Sequence, residues 1–162
     1  MRALLCIAFA GLLAGQSIEV ERSNGSRLTI ENYSEHPATA FVFLSTRSPE
    51  TRLAIDAIRA ANDRTRRRGV IFAGIFPNPA ESGEEMLRFC QASGFVFPCY
   101  RDPARTVART LGATVTPEVF LLDSTGKVVL QGQYRRTGKS SRRRDRQTAR
   151  ERTLDRAYRN TH

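Results

Sequence analysis

The 162 residues provide one domain of ordinary size plus appendages, and an apolar share of 40% excludes a wholly disordered chain. The net charge of +10 is unevenly spread: residues 135 to 162 hold 11 Lys+Arg against 3 Asp+Glu, a net of +8, which leaves +2 for residues 1 to 134. The body is nearly neutral, so attraction to a polyanion is a property of the tail.

The chain starts with MRALLCIAFAGLLAGQS, one arginine followed by apolar and small residues from Ala3 to Gly15. This is the layout of a signal peptide, too short to span a bilayer comfortably as a helix, with small residues at Gly15 and Ser17 and expected cleavage near Ser17. The competing reading is an ordinary buried helix. Cys6 lies too early in the run to serve as a lipid-anchoring cysteine.

From Ile18 the elements follow in order. SIEVERSNGSRLTIENY alternates apolar residues around Asn24-Gly25 and predicts a β-hairpin. ATAFVFLST is a continuous apolar run of strand length, covered on both faces. From Pro49 to about Arg67, Leu53, Ala54, Ala57, Ile58 and Ala61 recur at helical spacing and predict an amphipathic helix. The basic cluster Arg64 to Arg68 reads as its solvated end.

GVIFAGIF is a second buried strand, broken by Pro77-Asn78-Pro79. AESGEEMLRFCQASG is a second helix, with acids in its first turn and Gly94 at its end. A short strand FVFPCY precedes Asp102-Pro103, which predicts a cap-plus-proline start for the helix ARTVARTLG. EVFLLD, a Ser124-Thr125-Gly126 turn and KVVLQGQY close the domain as a hairpin. Alternating strands and helices imply an α/β sandwich with a mixed sheet, the order of thioredoxin-like folds.

Cys90 ends a helix-like stretch and Cys99 a strand-like one. Core packing, a disulfide and a redox pair all remain open for them, while the lack of companion histidines argues against a metal site. No cofactor is expected.

Four stretches together resemble the redoxin, or alkyl hydroperoxide reductase/thiol-specific antioxidant, group of thioredoxin-fold proteins: VFLSTRSPETR, RRRGVIFAGIFPNPAES, GFVFPCYRDPARTVARTLGAT and VTPEVFLLDSTGKVVLQGQY. The resemblance covers roughly residues 18 to 134, the quoted stretches running from Val42 to Tyr134. The resemblance implies a three-layer thioredoxin-like sandwich whose activity is thiol-disulfide exchange or peroxide reduction, with a thiol/disulfide protein or a small peroxide as partner. It also implies that Thr116-Pro117 is cis and faces the start of the first helix.

In that family the first helix begins with the nucleophilic cysteine, where the helix N-terminus lowers a thiol's pKa. Here the position holds Ser48, and Thr51 stands where a Cys-x-x-Cys motif has its second cysteine. A peroxiredoxin-type turn has proline seven residues and threonine or serine three residues before the nucleophile; this chain has Phe41 and Ser45, matching only the second. Ser48, Pro49 and Glu50 read locally as an N-cap, a proline at the first helical position and a first-turn acid. A serine nucleophile would need a base such as histidine, and the two histidines are His36 and His162, neither near position 48 in sequence.

After Tyr134 the apolar residues are Ala149, Leu154, Ala157 and Tyr158. This composition predicts disorder or a frayed helix from about Thr148. An accidental tail from a shifted reading frame and a functional one both fit it. If functional, the tail implies a second reading of the protein, a non-catalytic platform held non-specifically to an anionic surface or partner. The predicted organisation is a signal peptide at 1–17, a redoxin domain at 18–134 and a basic tail at 135–162.

Overall fold

The computed structural model describes residues 18–30 and 35–134. The expected signal segment and the basic tail lie outside them. Strands β1 (Ile18–Glu21), β2 (Arg27–Ile30), β3 (Ala38–Phe43), β4 (Val70–Phe76), β5 (Cys99–Arg101), β6 (Glu118–Asp123) and β7 (Val128–Gln133) form a seven-stranded sheet in the order β2-β1-β5-β4-β3-β6-β7. Helices α1 (Pro49–Thr65), α2 (Gly83–Ala92) and α3 (Thr106–Leu111) cover it. The β3–β4 and β4–β5 pairs are parallel and the rest antiparallel, so the sheet is mixed.

Every residue of β3 is buried, because the strand is central and helices cover both faces. Its side chains alternate: Phe41 and Phe43 join Val107, Ala108 and Leu111 of α3 on one face, while Ala40 and Val42 join Ala54 and Ile58 of α1 and Met86 of α2 on the other. Burial of each large side chain contributes roughly 1.5–3 kcal/mol. The edge-to-face pair Phe43–Phe120, with centroids 5.6 Å apart, adds about 1 kcal/mol.

Three expectations change in detail. Leu53 is exposed, because the buried face of α1 runs through Thr51, Ala54, Ile58 and Asn62. The strand expected over FVFPCY narrows to Cys99–Arg101, since Phe95 and Phe97 instead stack on each other at 4.7 Å beside Cys90. Helix α3 starts at Thr106, not beside Pro103: the chain first turns through an Arg105 N–Asp102 O hydrogen bond, and Arg105 takes a left-handed φ of 55°. The buried Asp102 carboxylate still caps the helix from upstream, accepting from Thr106 N at 2.8 Å and Ala108 N at 2.9 Å.

Of the alternatives open for the cysteines, the disulfide is the one formed, Cys90–Cys99, tying the last turn of α2 to the start of β5. At the other end of α2, Ser82 and Glu85 form a reciprocal capping box. Gly83 is required there, because a Cβ would lie 1.9 Å from Ser23 O in the β1–β2 turn.

Candidate functional site at the start of helix α1

Strand β3 delivers the chain to the sheet's C-terminal edge, where Leu44 N still bonds Ile75 O at 2.8 Å. The segment 45–48 then turns, with Ser48 N donating to Ser45 O at 3.3 Å, and α1 begins at Pro49. Ser48 is the N-cap: its backbone is extended, and its Oγ accepts from Thr51 N at 3.1 Å.

The same hydroxyl faces the Thr116-Pro117 peptide, which is cis. Ser48 Oγ lies 3.0 Å from Thr116 O and 3.3 Å from Glu50 Oε2, two acceptors for its single proton. Thr51 is fully buried, and its Oγ1 accepts from Ser45 N at 3.4 Å. The structure thus brings Ser45, Ser48, Pro49, Thr51, Thr116 and Pro117 into one cluster. Val115, 47% exposed, adds an apolar patch at its edge.

Two buried carboxylates shape this cluster, and sequence reasoning passed over both. Glu118 follows Pro117 and is fully buried. One of its oxygens accepts from Thr114 N at 2.8 Å and Val115 N at 3.4 Å, the other from Gln131 Nε2 at 2.8 Å and Gln133 Nε2 at 3.0 Å. Burial pushes its pKa up, but these donors together outweigh burial and hold it below the usual value. The signal was present in sequence: an acid opens an apolar strand, with glutamines at alternate positions of the next.

Glu81 reads in sequence as another first-turn acid of α2. It lies before the Ser82 cap and points inward, 1% exposed. Its Oε1 accepts from Ser45 Oγ and from Asn78 Nδ2 at 3.2 Å, while Oε2 is buried without a hydrogen-bond partner. Ser45 Oγ also accepts from Arg47 N at 3.2 Å, so Glu81 braces the turn that presents Ser48. On the rim, Arg47 Nη2 donates to Ala80 O at 2.8 Å and Arg52 Nη2 to Thr46 O at 2.9 Å.

Among the described residues no histidine is bonded to Ser48, and the carboxylate beside its hydroxyl is that of Glu50. His36 precedes β3 and so lies at the opposite end of that strand, while His162 is outside the described residues. The disulfide joins α2 to β5, with Cys99 paired in register to Gly74. Among the described residues, no group of three or more His, Cys, Asp or Glu could hold a metal ion, and no helix is long and apolar enough to cross a membrane.

Comparison with known proteins agrees with this fold. The model of the AhpC/TSA family matches residues 14–131. Among curated proteins, no sequence matches the chain. A hypothetical protein from Sinorhizobium meliloti 1021 is 25% identical, with a TM-score of 0.71 over 88% of this chain and 82% of that one. Peroxiredoxin Q of Xanthomonas campestris superposes with a TM-score of 0.66 at 17% identity, covering 96% of this chain and 98% of that one. The thioredoxin domain of a thiol-disulfide oxidoreductase from Bacteroides vulgatus gives 0.63 at 14% identity, over 78% and 90%.

Proposed function

The chain belongs to the AhpC/TSA family, and on that premise we propose that it is a thioredoxin-like redoxin in which Ser48 occupies the thiol position, leaving the docking surface beside Pro117 without thiol turnover. The observation that carries this reading is the state of the Ser48 hydroxyl. Its lone pair accepts from Thr51 N, and its proton has Thr116 O at 3.0 Å and Glu50 Oε2 at 3.3 Å as acceptors.

The helix N-terminus and cap amide that would stabilise a thiolate, lowering its pKa into a range of about 3.5–7.5, are present. A hydroxyl gains too little there to ionise without a base. Thr51, where a second cysteine would stand, is buried and bonded to Ser45 N. What remains is a surface bearing Thr116, Pro117 and the exposed Val115, suited to an extended polypeptide or thiol partner that docks and is not turned over. The disulfide supports an oxidising compartment, and export directed by residues 1–17 would bring the chain to one.

The test measures reduction of hydrogen peroxide and of a model disulfide, with a dithiol as reductant, by the natural chain and by Ser48→Cys. The natural chain is expected at the buffer background and Ser48→Cys clearly above it. Activity of the natural chain that disappears on replacing Cys90 and Cys99 would overturn the reading, because the chemistry would then reside in the disulfide.

A further inference from the structure

The disulfide reaches the Ser48 turn through one neighbouring side chain. On β4, Gly74 stands opposite Cys99 in register. A Cβ there would lie 3.1 Å from Cys99 Sγ, 3.3 Å from Leu44 Cδ1 and 3.5 Å from the Phe97 ring, so these three groups share the space over Gly74. Leu44 is fully buried, and it directly precedes Ser45, where the turn that presents Ser48 begins. One sulfur of the bond and the residue that leads into the turn therefore pack over the same spot. A close-packed interior passes a displacement of one on to the other.

The path to the sulfurs lies through the segment between them. Gln91, Ala92, Gly94, Val96 and Pro98 are exposed, Val96 by 70%. Strand β5 has three residues, and the N-terminal hairpin joins it through a single register pair. Elements with so few bonds open locally at low cost. Aromatic contacts link α2, this segment and β4 without the covalent bond: Phe89 to Phe95 at 6.4 Å, Phe95 to Phe97 at 4.7 Å and Phe97 to Phe72 at 5.7 Å. Cutting the bond thus leaves α2 seated on the sheet.

We propose that Cys90–Cys99 is an exchange site for an external dithiol, and that its redox state sets the order of the turn at residues 45–48. A thiolate of the dithiol attacks one sulfur and forms a mixed disulfide, while the other cysteine leaves as a thiolate and takes up a proton. The second thiol of the dithiol then closes on the mixed disulfide and releases the remaining cysteine. The protein bond has gained two electrons, and the dithiol has become a disulfide. Cys99 Sγ is then no longer tied to Cys90, Leu44 loses its fixed neighbour, and the turn loosens. This inference is independent of whether position 48 turns anything over.

The test uses the full chain carrying Cys6→Ser, so that Cys90 and Cys99 are its two cysteines, treated with dithiothreitol in native buffer. Alkylation followed by mass should count two thiols in a chain that stays folded, and oxidised glutathione should restore the bond. Amide exchange at residues 44–48 should rise about tenfold on reduction, with β6 unchanged. Cys90→Ala/Cys99→Ala should show the raised rates with and without dithiothreitol. Leu44→Val, which withdraws the δ carbon from the space over Gly74, should lose the redox difference in the turn and keep it in α2. Should the double variant not fold, the two redox states of the natural pair decide. A bond that yields no faster than the chain unfolds would overturn the proposal, as would equal exchange of the turn in both redox states. So would a response to dithiothreitol without the two cysteines, a redox difference in the turn that survives Leu44→Val, or a rise spread evenly over all strands.

Discussion

At the scale of single residues, the site depends on carboxylates whose ionisation is coupled to folding. Glu118 draws four donors onto one buried group, and its folded pKa lies below the usual 4.5. The stability it contributes is present above that unfolded value and is lost as pH falls through the lower folded value. Asp102 runs the other way: burial, the largest influence, raises its pKa above 3.8, so its ionisation costs stability as pH rises through the folded value. The two effects separate when each pH is compared within a variant pair, because Asp102 is common to both chains. Glu118→Gln should unfold in urea with about 2 kcal/mol less stability than the natural chain at pH 7, the range of hydrogen bonds to a charged group. The gap should narrow steadily below pH 4.5. A gap of constant size from pH 7 to pH 3 would mean that shape, not charge, holds the Thr114–Pro117 loop.

At the scale of elements, the disulfide and the turns show what a sequence carries locally and what it does not. The Asn24-Gly25 hairpin, the largely apolar β3 and the Ser48-Pro49-Glu50 helix start were legible because each is decided by neighbours in sequence. The inward turn of Glu81, the upstream reach of Asp102 over Arg105 and the pairing of Cys90 with Cys99 were not, because each depends on where β5 lands beside β4 and α2. The exposed Leu53 shows the same limit: helical spacing fits several neighbouring faces, and only packing selects one. The sequence separation of 9 between the cysteines sets the energetic role of their bond. Closing a loop of that size restricts the unfolded chain by about 2.5–3 kcal/mol in the chain-entropy account. Cys90→Ala/Cys99→Ala should therefore lose about that much stability, with faster amide exchange in α2 and residues 93–98, measured by urea unfolding and hydrogen exchange. A double variant as stable as the natural chain would remove the structural role and leave the disulfide to chemistry.

At the scale of the whole molecule, the N-terminal hairpin and the site are joined through one side chain. The β1–β2 hairpin enters the sheet through a single register pair, Glu21 with Arg101 at the end of β5. Ile18 and Val20 anchor its inner face in the α3-side core, but its alignment to the sheet edge rests on Arg101. That guanidinium pairs with Glu21 Oε2 at 3.1 Å, both side chains being no more than 26% exposed, and also donates from Nε to Glu81 O at 3.1 Å. The residue therefore links the hairpin to the loop whose Glu81 side chain braces Ser45, and Ser45 in turn holds the segment leading to Ser48. Arg101→Met keeps the aliphatic stem and removes both bonds, so the Glu21 carboxylate loses its ion-pair partner in a half-buried place. Amide exchange should then rise about tenfold, equivalent to about 1.4 kcal/mol of local opening, in β1, β2 and residues 78–82. Strands β3, β4 and β6 should keep their natural rates, because their pairing and both packed faces are untouched. A uniform rise across all seven strands would instead show that the hairpin opens only with the whole domain, and that the path from Glu21 to Ser48 carries no separate coupling.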